Sequence, residues 1–524
     1  MRSQVLHIFR KDVRHHWPEM LLCLLAVVAY AWREYRSWGA PNGRFDVYEV
    51  LLSFVPVLVV VSWAFLIARL VQGESLVGDR QFWVTRPYDW RKLLAAKLLS
   101  ILVFVNIPLF CMQVFLLLVA GFAPSTHLLG LFWLQLLWTA FVFLPLFTLA
   151  AVTASIVQFV LGVLGGFVYL LVLSAILSHL PDSGVSGAAT IPTGLAGLGL
   201  LGTGLAIVLW QYSRRIAAPS RVLLSGALLF VPVLFAVTPY RMLIAHIYPP
   251  PRAGQQLPVI LAFDPEKPAS RGRGYPEKNK VHVSIPLLAS GIAEGTKVIA
   301  GGRMVTILAL GGKPWSSGWQ DPAEVFLPDI RHNATILSID KDFFERVKSS
   351  AVNVHITYAL LPRRAQQTTR IVAQGAGFAV PGEGRCSYSP FDPYVVSCVF
   401  PLKVPSQLVR ARSEEVTCAP RKDETPLPAG TTLYGGTRWD RDEGLAGFGM
   451  SPVKAMAFSF WSWSEANNRT DHSRVCPGTP LTFFTRWQAL QPVRSELEIS
   501  GIRLADYQLN DASEGGTVVG ISVP

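Results

Sequence analysis

The chain has 524 residues, 51% of them hydrophobic and only 16% charged, with a mean hydropathy of +0.36 and a net charge of +12. Soluble globular chains carry about 25% charged residues, so the deficit indicates a membrane protein, and the apolar content excludes a disordered chain. Six cysteines in this length exclude a small disulfide-framework protein.

The composition changes at a run of three prolines that ends at Pro251. Residues before the run hold 17 Lys and Arg against 9 Asp and Glu, whereas the remainder holds 30 against 26. Because the basic excess lies among the apolar segments, we expect it to face lipid headgroups, and we expect no nucleic-acid partner. We predict a transmembrane domain over 1–249, a linker over 250–280, and two β-rich subdomains over 281–365 and 366–524.

Seven apolar stretches of the first domain are typical of membrane-spanning helices, since about 20 apolar residues cross a bilayer. They lie near 17–32, 50–71, 97–121, 128–153, 156–180, 193–211 and 222–243. The first stretch is short enough to lie in the interface instead, but Trp17 and Trp32 at its ends favour a span. Polar residues inside the spans are expected to form hydrogen bonds between helices: Asn106, Gln113, Gln135 and Gln158.

The basic residues predict the orientation of these spans. With the N-terminus inside, the inner segments hold 13 Lys and Arg and the outer segments hold four. This distribution follows the positive-inside rule and predicts a cytoplasmic N-terminus. Seven spans that start inside finish outside, so residues 250–524 are expected outside. No cleavable signal peptide is evident, and we expect a multi-pass protein of a bacterial inner (plasma) membrane.

The cysteines of the polar half agree with an oxidising compartment. Cys386 and Cys398 flank a segment typical of a β-hairpin, so we pair them and then pair Cys418 with Cys476. The alternative is four free thiols in a cytosolic domain. No CxxC pair occurs, which disfavours a zinc ribbon.

Beyond residue 280 the hydropathy pattern has a period of two. Residues 281–285, 352–358, 458–463 and 497–500 alternate between apolar and polar side chains, between turns rich in Gly and Pro. The pattern predicts antiparallel, sandwich-like sheets. The fold class is therefore an all-α polytopic helix bundle of about seven spans, followed by a β-rich extracytoplasmic region.

Motifs that carry chemistry are missing from the sequence. It contains no GxxxxGK[ST] phosphate loop, no HExxH and no GxSxG. We therefore expect no ATPase or other catalytic residue in this chain, no cofactor and no metal site. The spans are almost free of ionisable residues, which disfavours a proton-driven transporter.

The inner loop between the second and third stretches mixes both charge signs with aromatic residues, as Phe82-Trp83-Val84-Thr85-Arg86-Pro87 and then Trp90-Arg91-Lys92-Leu93-Leu94-Ala95-Ala96-Lys97. The composition suits docking of another protein, or else contact with headgroups. The segment Phe9-Arg10-Lys11-Asp12-Val13-Arg14 precedes the first stretch and is basic and amphipathic.

These two segments resemble the first inner loop and the amphipathic entry helix of type 2 ATP-binding-cassette (ABC) transporter permeases, and the resemblance covers residues 1–243. Such permeases carry no ATPase, form dimers, and bind a separate cytoplasmic ATPase through the loop and the entry helix. The resemblance places Glu74, Asp79, Arg80, Arg86, Pro87 and Arg91 in the coupling loop. It places Phe9, Arg10, Lys11 and Arg14 in the entry helix.

The resemblance implies a permease subunit of an ATP-driven exporter. Its partners would be the lipid bilayer, a cytoplasmic ABC ATPase subunit, and a second permease subunit in a homo- or heterodimer. The alternative function is that of a membrane-anchored binding or sensory protein, whose outer β-region recognises a ligand or an envelope partner.

Overall fold

The structure is a computed structural model of the whole chain. It describes residues 2–509 except 39–53, 74–88, 181, 215–216, 253, 255, 267–278, 310–312, 323, 329, 373–374, 376, 381–383, 389–394, 402–409, 414–432, 438–448, 465–468 and 473–474.

The first half of the described chain is helical. Its helices are α1 (Arg2–His15), α2 (Trp17–Ser37), α3 (Val55–Gln72), α4 (Trp90–Val119), α5 (Pro124–Val152), α6 (Ile156–His179), α7 (Thr190–Arg214), α8 (Ala217–Val237) and α9 (Tyr240–Ile247). Helices α4 and α5 each contain one π-helical turn, at Leu102–Asn106 and Thr139–Phe143, just before a proline. A proline lacks the backbone N–H that a regular α-helical turn needs, which accounts for both irregularities.

Six helices in the described part of the chain, α3 to α8, are long and apolar enough to cross a membrane. The predicted count of seven spans is not confirmed. Helix α2 is 21 residues long, but it carries Glu19, Arg33, Glu34 and Arg36, and these charges set it apart from the other six.

Large apolar side chains on the outside of the bundle agree with a lipid environment. Leu164 and Phe167 of α6 are at least half exposed, as are Leu198 of α7 and Leu229 of α8. Such extensive exposed apolar surface is unusual in a soluble monomer, because water would have to cover it. It is the normal outer surface of a helix bundle in a bilayer.

Helix α2 runs antiparallel to α3, although it is not one of the six apolar helices. Its first turn lies at the end of α3, where Arg69 Nε donates to Glu19 Oε1 at 3.4 Å. Farther along α2, Cys23, Ala26, Val27 and Tyr30 are buried in the same core as Trp63 of α3. Leu25 and Val28 on its other face are exposed. The helix therefore has one face in the bundle and one apolar face outside.

The N-terminal helix and the β-rich region lie at opposite ends of the bundle. Near the start of α4, Lys97 contacts Asp12 of α1. Near its end, Gln113 Nε2 donates to the backbone oxygen of Met450 at 3.0 Å. At 1.5 Å per residue, these two contacts are about 24 Å apart along α4.

Two of the predicted polar contacts join neighbouring helices. Gln135 of α5 donates to Gln113 of α4 at 3.0 Å, and Asn106 of α4 donates to Thr139 of α5 at the same distance. Gln158 instead accepts from the backbone N–H of Ala154, beside its own helix. A polar side chain at the end of a span finds a free backbone N–H more readily than a partner on another helix.

The second half consists of β-strands and one short helix, α10 (Lys341–Val347). The strands are β1 (Ile260–Phe263), β2 (Lys280–Ser290), β3 (Thr296–Ala309), β4 (Trp315–Gln320), β5 (Val325–Phe326), β6 (His332–Asp340), β7 (Ala351–Val372), β8 (Gly377–Val380), β9 (Gly384–Tyr388), β10 (Val395–Pro401), β11 (Arg410–Ser413), β12 (Leu433–Thr437), β13 (Val453–Ser464), β14 (Arg469–His472), β15 (Pro480–Ala489) and β16 (Val493–Arg503). All pairings between them are antiparallel, as the alternating hydropathy predicts.

The first part of the β-rich region, directly after the helix bundle in the chain, contains a β-sandwich. The sheet β1-β2-β6 packs on β3, β7 and β16 of a 13-stranded sheet, with Ile285 and Ile356 in the shared core. Strand β1 lies inside 250–280, which the sequence predicts to be a linker. Its residues Ile260 to Phe263 pair with β2. The sequence pattern does not predict this strand, because the four residues lie in a segment rich in proline, glycine and charged residues.

The large sheet continues through β7 and then curls. Strand β7 runs through residue 365, the predicted boundary between the two subdomains. It pairs with β3 and β16 before that residue and mainly with β15 after it. Phe378 of β8, at the end of the strand order, lies 6.1 Å from Phe483 of β15, measured between ring centroids. The strands between them therefore surround one core.

The disulfide predicted within the hairpin is confirmed. Cys386 of β9 lies directly opposite Cys398 of β10, and the two are bonded. Cys476 is also disulfide-bonded, while Cys418, its predicted partner, lies outside the described residues.

The α6–α7 loop of the helix bundle contacts strand β3 of the β-region directly. The backbone N–H of Ser186 donates to the oxygen of Gly301 at 2.6 Å, and the Tyr248 hydroxyl donates to the oxygen of Ser186 at 2.7 Å. A Cβ atom at Gly302 would lie 2.9 Å from the methyl groups of Val185. Because Gly301 and Gly302 of β3 have no side chains, they leave a depression into which the loop packs, here called the glycine notch.

Asp182 ties the same loop to both halves of the chain. Its carboxylate accepts from Arg241 Nε of α9 and from the backbone N–H of Trp319 of β4, both at 3.0 Å. The side chain of Asp182 is buried, so each of these charge-assisted hydrogen bonds replaces contact with water.

Candidate functional site

The residues that the resemblance assigns to an entry helix lie in α1, which is an amphipathic helix. Ile8 and Asp12 are buried on its inner face, and Phe9 stacks on Phe104 in the π-helical turn of α4, with a centroid distance of 6.1 Å. Arg10 and Arg14 are exposed, on a stripe of α1 that opens beside Gly73. The helix thus packs on the bundle through Ile8 and Asp12 and presents positive charge along that stripe.

A buried ion pair fixes α1 to α4. Lys97 Nζ donates to Asp12 Oδ2 at 2.8 Å, and the two side chains are 2% and 5% exposed. A charged pair that has lost water needs close contact to offset desolvation, and this geometry supplies it. The contact holds the two segments in one fixed position.

Further polar contacts support the start of α4. The Asp89 carboxylate accepts from the backbone N–H of Arg91 at 3.1 Å and caps the helix. Lys92 Nζ donates to Gln4 Oε1 of α1 at 2.8 Å, one and a half turns before Lys97. Helix α1 therefore contacts α4 through Lys92 as well as Lys97, immediately after the predicted coupling loop.

The end of α3 contacts the junction between α1 and α2, at the same end of the bundle. The ring of His16, between α1 and α2, lies beside Gly73, and Glu19 bridges from α2 to Arg69. Burial lowers the pKa of His16, because desolvation disfavours the imidazolium, so the ring is neutral near pH 7.

The predicted site residues fall into two groups. Phe9, Arg10, Lys11 and Arg14 lie together on α1, and Arg91 is exposed in the first turn of α4, with its guanidinium 5.4 Å from the centre of the Trp90 ring. The other predicted coupling residues lie outside the described residues: Glu74, Asp79, Arg80, Arg86 and Pro87.

The sequence does not identify Asp12 and Lys97 as a pair. Each residue is nevertheless unusual for its position, because Asp12 lies on the inner face of an amphipathic helix and Lys97 lies inside an apolar run. An ionisable residue in such a place needs a partner. The sequence contains several candidates, and only packing chooses among them.

The basic residues at this end of the bundle come from several helices. Arg221 Nε donates to the backbone oxygen of Val152, which places the α7–α8 turn near the end of α5. Gln72 of α3 donates to Thr153 after α5, so these termini share the end that carries α1. Within the described ranges, no three His, Cys, Asp or Glu side chains come together as a metal site requires.

No protein-family model matches this chain, and neither a curated protein nor a solved structure matches it significantly. Function is therefore inferred from the residues and from the geometry of the helices that carry them.

Proposed function

We propose that the chain is the membrane subunit of an ATP-driven exporter of the type 2 ABC kind, with ATP hydrolysis supplied by a separate cytoplasmic subunit. The observation that carries this proposal is the buried Asp12–Lys97 ion pair. It joins the helix that resembles the entry helix to the span that follows the loop resembling the coupling loop. A force applied to either segment would reach α4 directly.

The proposal requires that the end bearing α1 faces the cytoplasm. In the described part of the chain, five helices place basic side chains at that end: Arg14 of α1, Arg69 of α3, Lys92 of α4, Arg214 of α7 and Arg221 of α8. The positive-inside rule then favours a cytoplasmic N-terminus and an extracytoplasmic β-region in a bacterial inner membrane.

This orientation also makes α2 the seventh span. Its antiparallel packing on α3 and its exposed apolar face support that role, and its Arg33, Glu34 and Arg36 would lie at the outer interface. A 21-residue helix is about 31 Å long, which matches the hydrocarbon thickness of a bilayer.

Transport in this scheme takes place between two bundles, either two copies of this chain or this chain and a related one. ATP binding and hydrolysis in the partner would rearrange the bundles, and the loop around Asp182 and Ser186 would transmit the movement to the β-region. That region would receive the substrate or contact the envelope.

The test is purification from native membranes in mild detergent, followed by mass spectrometry of the bound proteins. We expect a stoichiometric nucleotide-binding subunit in the wild type, and its loss when Arg80, Arg86 and Arg91 are all replaced by Glu. Arg331→Glu, an exposed change in the β-region, is the matched control and should retain the subunit.

Two results would contradict the proposal. One is a purified chain that hydrolyses ATP alone. The other is a chain that binds only envelope proteins through residues 250–524, which would favour the membrane-anchored binding or sensory protein.

A further inference from the structure

A cleft of about 630 Å³ opens between α1 and the end of α3. Its described walls are formed largely by basic and imidazole side chains of one stripe of α1, together with His16 and the end of α3: His7, Arg10, Lys11, Asp12, Arg14, His15, His16 and Gly73. The positions 7, 10, 11 and 14 follow the spacing of one helix face.

The charge of this cleft is positive. Asp12 is the one acid among its described wall residues, and its carboxylate is already paired with Lys97. The guanidinium groups of Arg10 and Arg14 therefore face the cleft without an acid on the described walls to balance both. Guanidinium groups bind phosphate in a planar, two-point geometry.

His16 adds an independent sign that the cleft accepts a polar ligand. The residue is only 3% exposed, and its Nδ1 atom has no hydrogen-bond partner. The nearest carboxylate oxygen, on Glu19, lies 3.8 Å away, beyond hydrogen-bond distance. The other ring nitrogen, Nε2, lies beside Gly73 on the cleft wall, so it is the atom of His16 that a ligand oxygen in the cleft would meet.

The position of the cleft identifies the source of that oxygen. Trp17, the next residue after His16, is 60% exposed, and Leu21, Leu25 and Val28 follow on the outer surface of α2. Tryptophan prefers the interface and leucine the hydrocarbon layer. This order places the cleft at the depth of the lipid headgroups.

We infer that the cleft binds the phosphate of an anionic phospholipid headgroup, with Arg10 and Arg14 as its cationic ligands and His16 as a hydrogen-bonding partner. The inference is independent of the transporter proposal, since it requires only that the bundle crosses a membrane with the apolar outer face of α2 against lipid. Bound lipid would join α1 to the surface and hold it against α3 and α4.

The test uses the full chain, purified and reconstituted in nanodiscs of phosphatidylcholine with increasing phosphatidylglycerol. Native mass spectrometry counts the phosphatidylglycerol that remains bound after release from the disc. Arg10→Gln with Arg14→Gln should weaken retention about 25-fold, since one basic residue near an anionic surface contributes about fivefold. Arg214→Gln, at the same end but outside the cleft walls, should change retention by no more than that single factor.

Equal retention by the double variant and Arg214→Gln would overturn the inference, because charge at the surface would then suffice. A second arm adds inorganic phosphate to protein in neutral detergent and follows thermal unfolding. Protection by phosphate with no retained phosphatidylglycerol would identify a free-phosphate site and overturn the lipid assignment.

The outcome is separable from that of the transporter proposal. The triple Arg80, Arg86 and Arg91 to Glu variant leaves the described cleft walls intact, so we expect it to lose the ATPase subunit and still retain phosphatidylglycerol. In the Arg10 and Arg14 double variant, loss of the ATPase subunit with lipid retained would contradict the lipid inference and favour docking of the partner in the cleft.

Discussion

Asp12 and Lys97 are separated by 85 positions in the sequence, yet their side chains meet at 2.8 Å and are almost completely removed from water. Close contact between the two opposite charges offsets part of the cost of taking them out of water. Burial of Lys97 is therefore coupled to the packing of α1 against α4. A helix that precedes the bundle in the sequence becomes part of its packing.

Breaking this pair from one side should be strongly destabilising. We expect Asp12→Asn or Lys97→Met alone to lower the free energy of unfolding by about 3–5 kcal/mol, because each removes one charge of a buried ion pair and leaves the other buried. The double variant should lose much less than the sum of the two. Thermal unfolding of the full chain in detergent measures this coupling.

The exposed pair of Glu345 and Lys348 is a matched control. Its atoms are 2.6 Å apart, but its side chains are 48% and 40% exposed. Removing either charge should cost less than about 1 kcal/mol. Additive losses at Asp12 and Lys97, or equal effects in both pairs, would contradict the interpretation.

The glycine notch of β3 should tolerate a side chain only if the opposing loop gives way. In Gly302→Ala, the new methyl group would lie 2.9 Å from Val185, and we expect a loss of about 1–3 kcal/mol. Val185→Ala removes the opposing methyl groups, so adding it should recover part of the loss. Thermal unfolding and hydrogen exchange in the α6–α7 loop give the two measurements.

A glycine with free space around it provides the comparison for that series. Nothing lies within 4 Å of a Cβ placed at Gly199 of α7. Gly199→Ala should therefore leave stability unchanged or raise it, since alanine favours a helix by about 1 kcal/mol. Failure of Val185→Ala to rescue Gly302→Ala would show that the notch does not hold the loop.

A second buried ion pair, inside the sandwich, should be as sensitive as the first. Arg303 Nη1 of β3 lies 2.6 Å from Glu324 Oε1, and Nη2 donates to the backbone oxygen of Ile336 at 2.9 Å. Arg303→Met removes the cation beside the buried Glu324 carboxylate and leaves it a hydrogen bond from the Thr335 hydroxyl at 2.5 Å, so we expect a loss of about 3–5 kcal/mol in unfolding free energy. Arg331→Met, on an exposed arginine of the same region, should have little effect.

The hairpin disulfide reports the side of the membrane on which the β-region lies. In a variant whose other four cysteines are alanine, cells lysed directly into denaturant and alkylated should show Cys386 and Cys398 modified only when a reductant is added first, because the two thiols are bonded and buried in the folded chain. An Arg14→Cys change on α1, with all native cysteines removed, should remain unlabelled by an impermeant maleimide until the membrane is opened. Labelling of that position from outside would contradict the proposed orientation.

Local patterns predicted much of the fold. Apolar runs of about 20 residues predict helices α3 to α8. Alternating hydropathy predicts strands β2, β7, β13 and β16. The Cys386–Cys398 bond follows from a hairpin of neighbouring strands, in which opposite residues are fixed by the turn. Strand β1 was hidden because four apolar residues carry too little signal between prolines and glycines.

The charges of α2 show where hydropathy alone reaches its limit. Glu19 and Arg33 lower the apolar character of the helix, while its packing on α3 depends on Cys23, Val27 and Tyr30 on one face. Hydropathy averages over all faces of a helix, whereas packing depends on a single face.

The sequence by itself determined that an apolar helical domain precedes a β-rich one, that basic residues gather beside the spans, and that a disulfide closes one hairpin. Only the tertiary structure decided that Asp12 meets Lys97, that Gln113 contacts Met450 337 positions away, and that α1 and the β-region occupy opposite ends of α4. The physical reason is that hydropathy and alternation are summed over neighbours in the chain. A buried polar group instead takes whichever partner the packing of distant segments brings within hydrogen-bond distance.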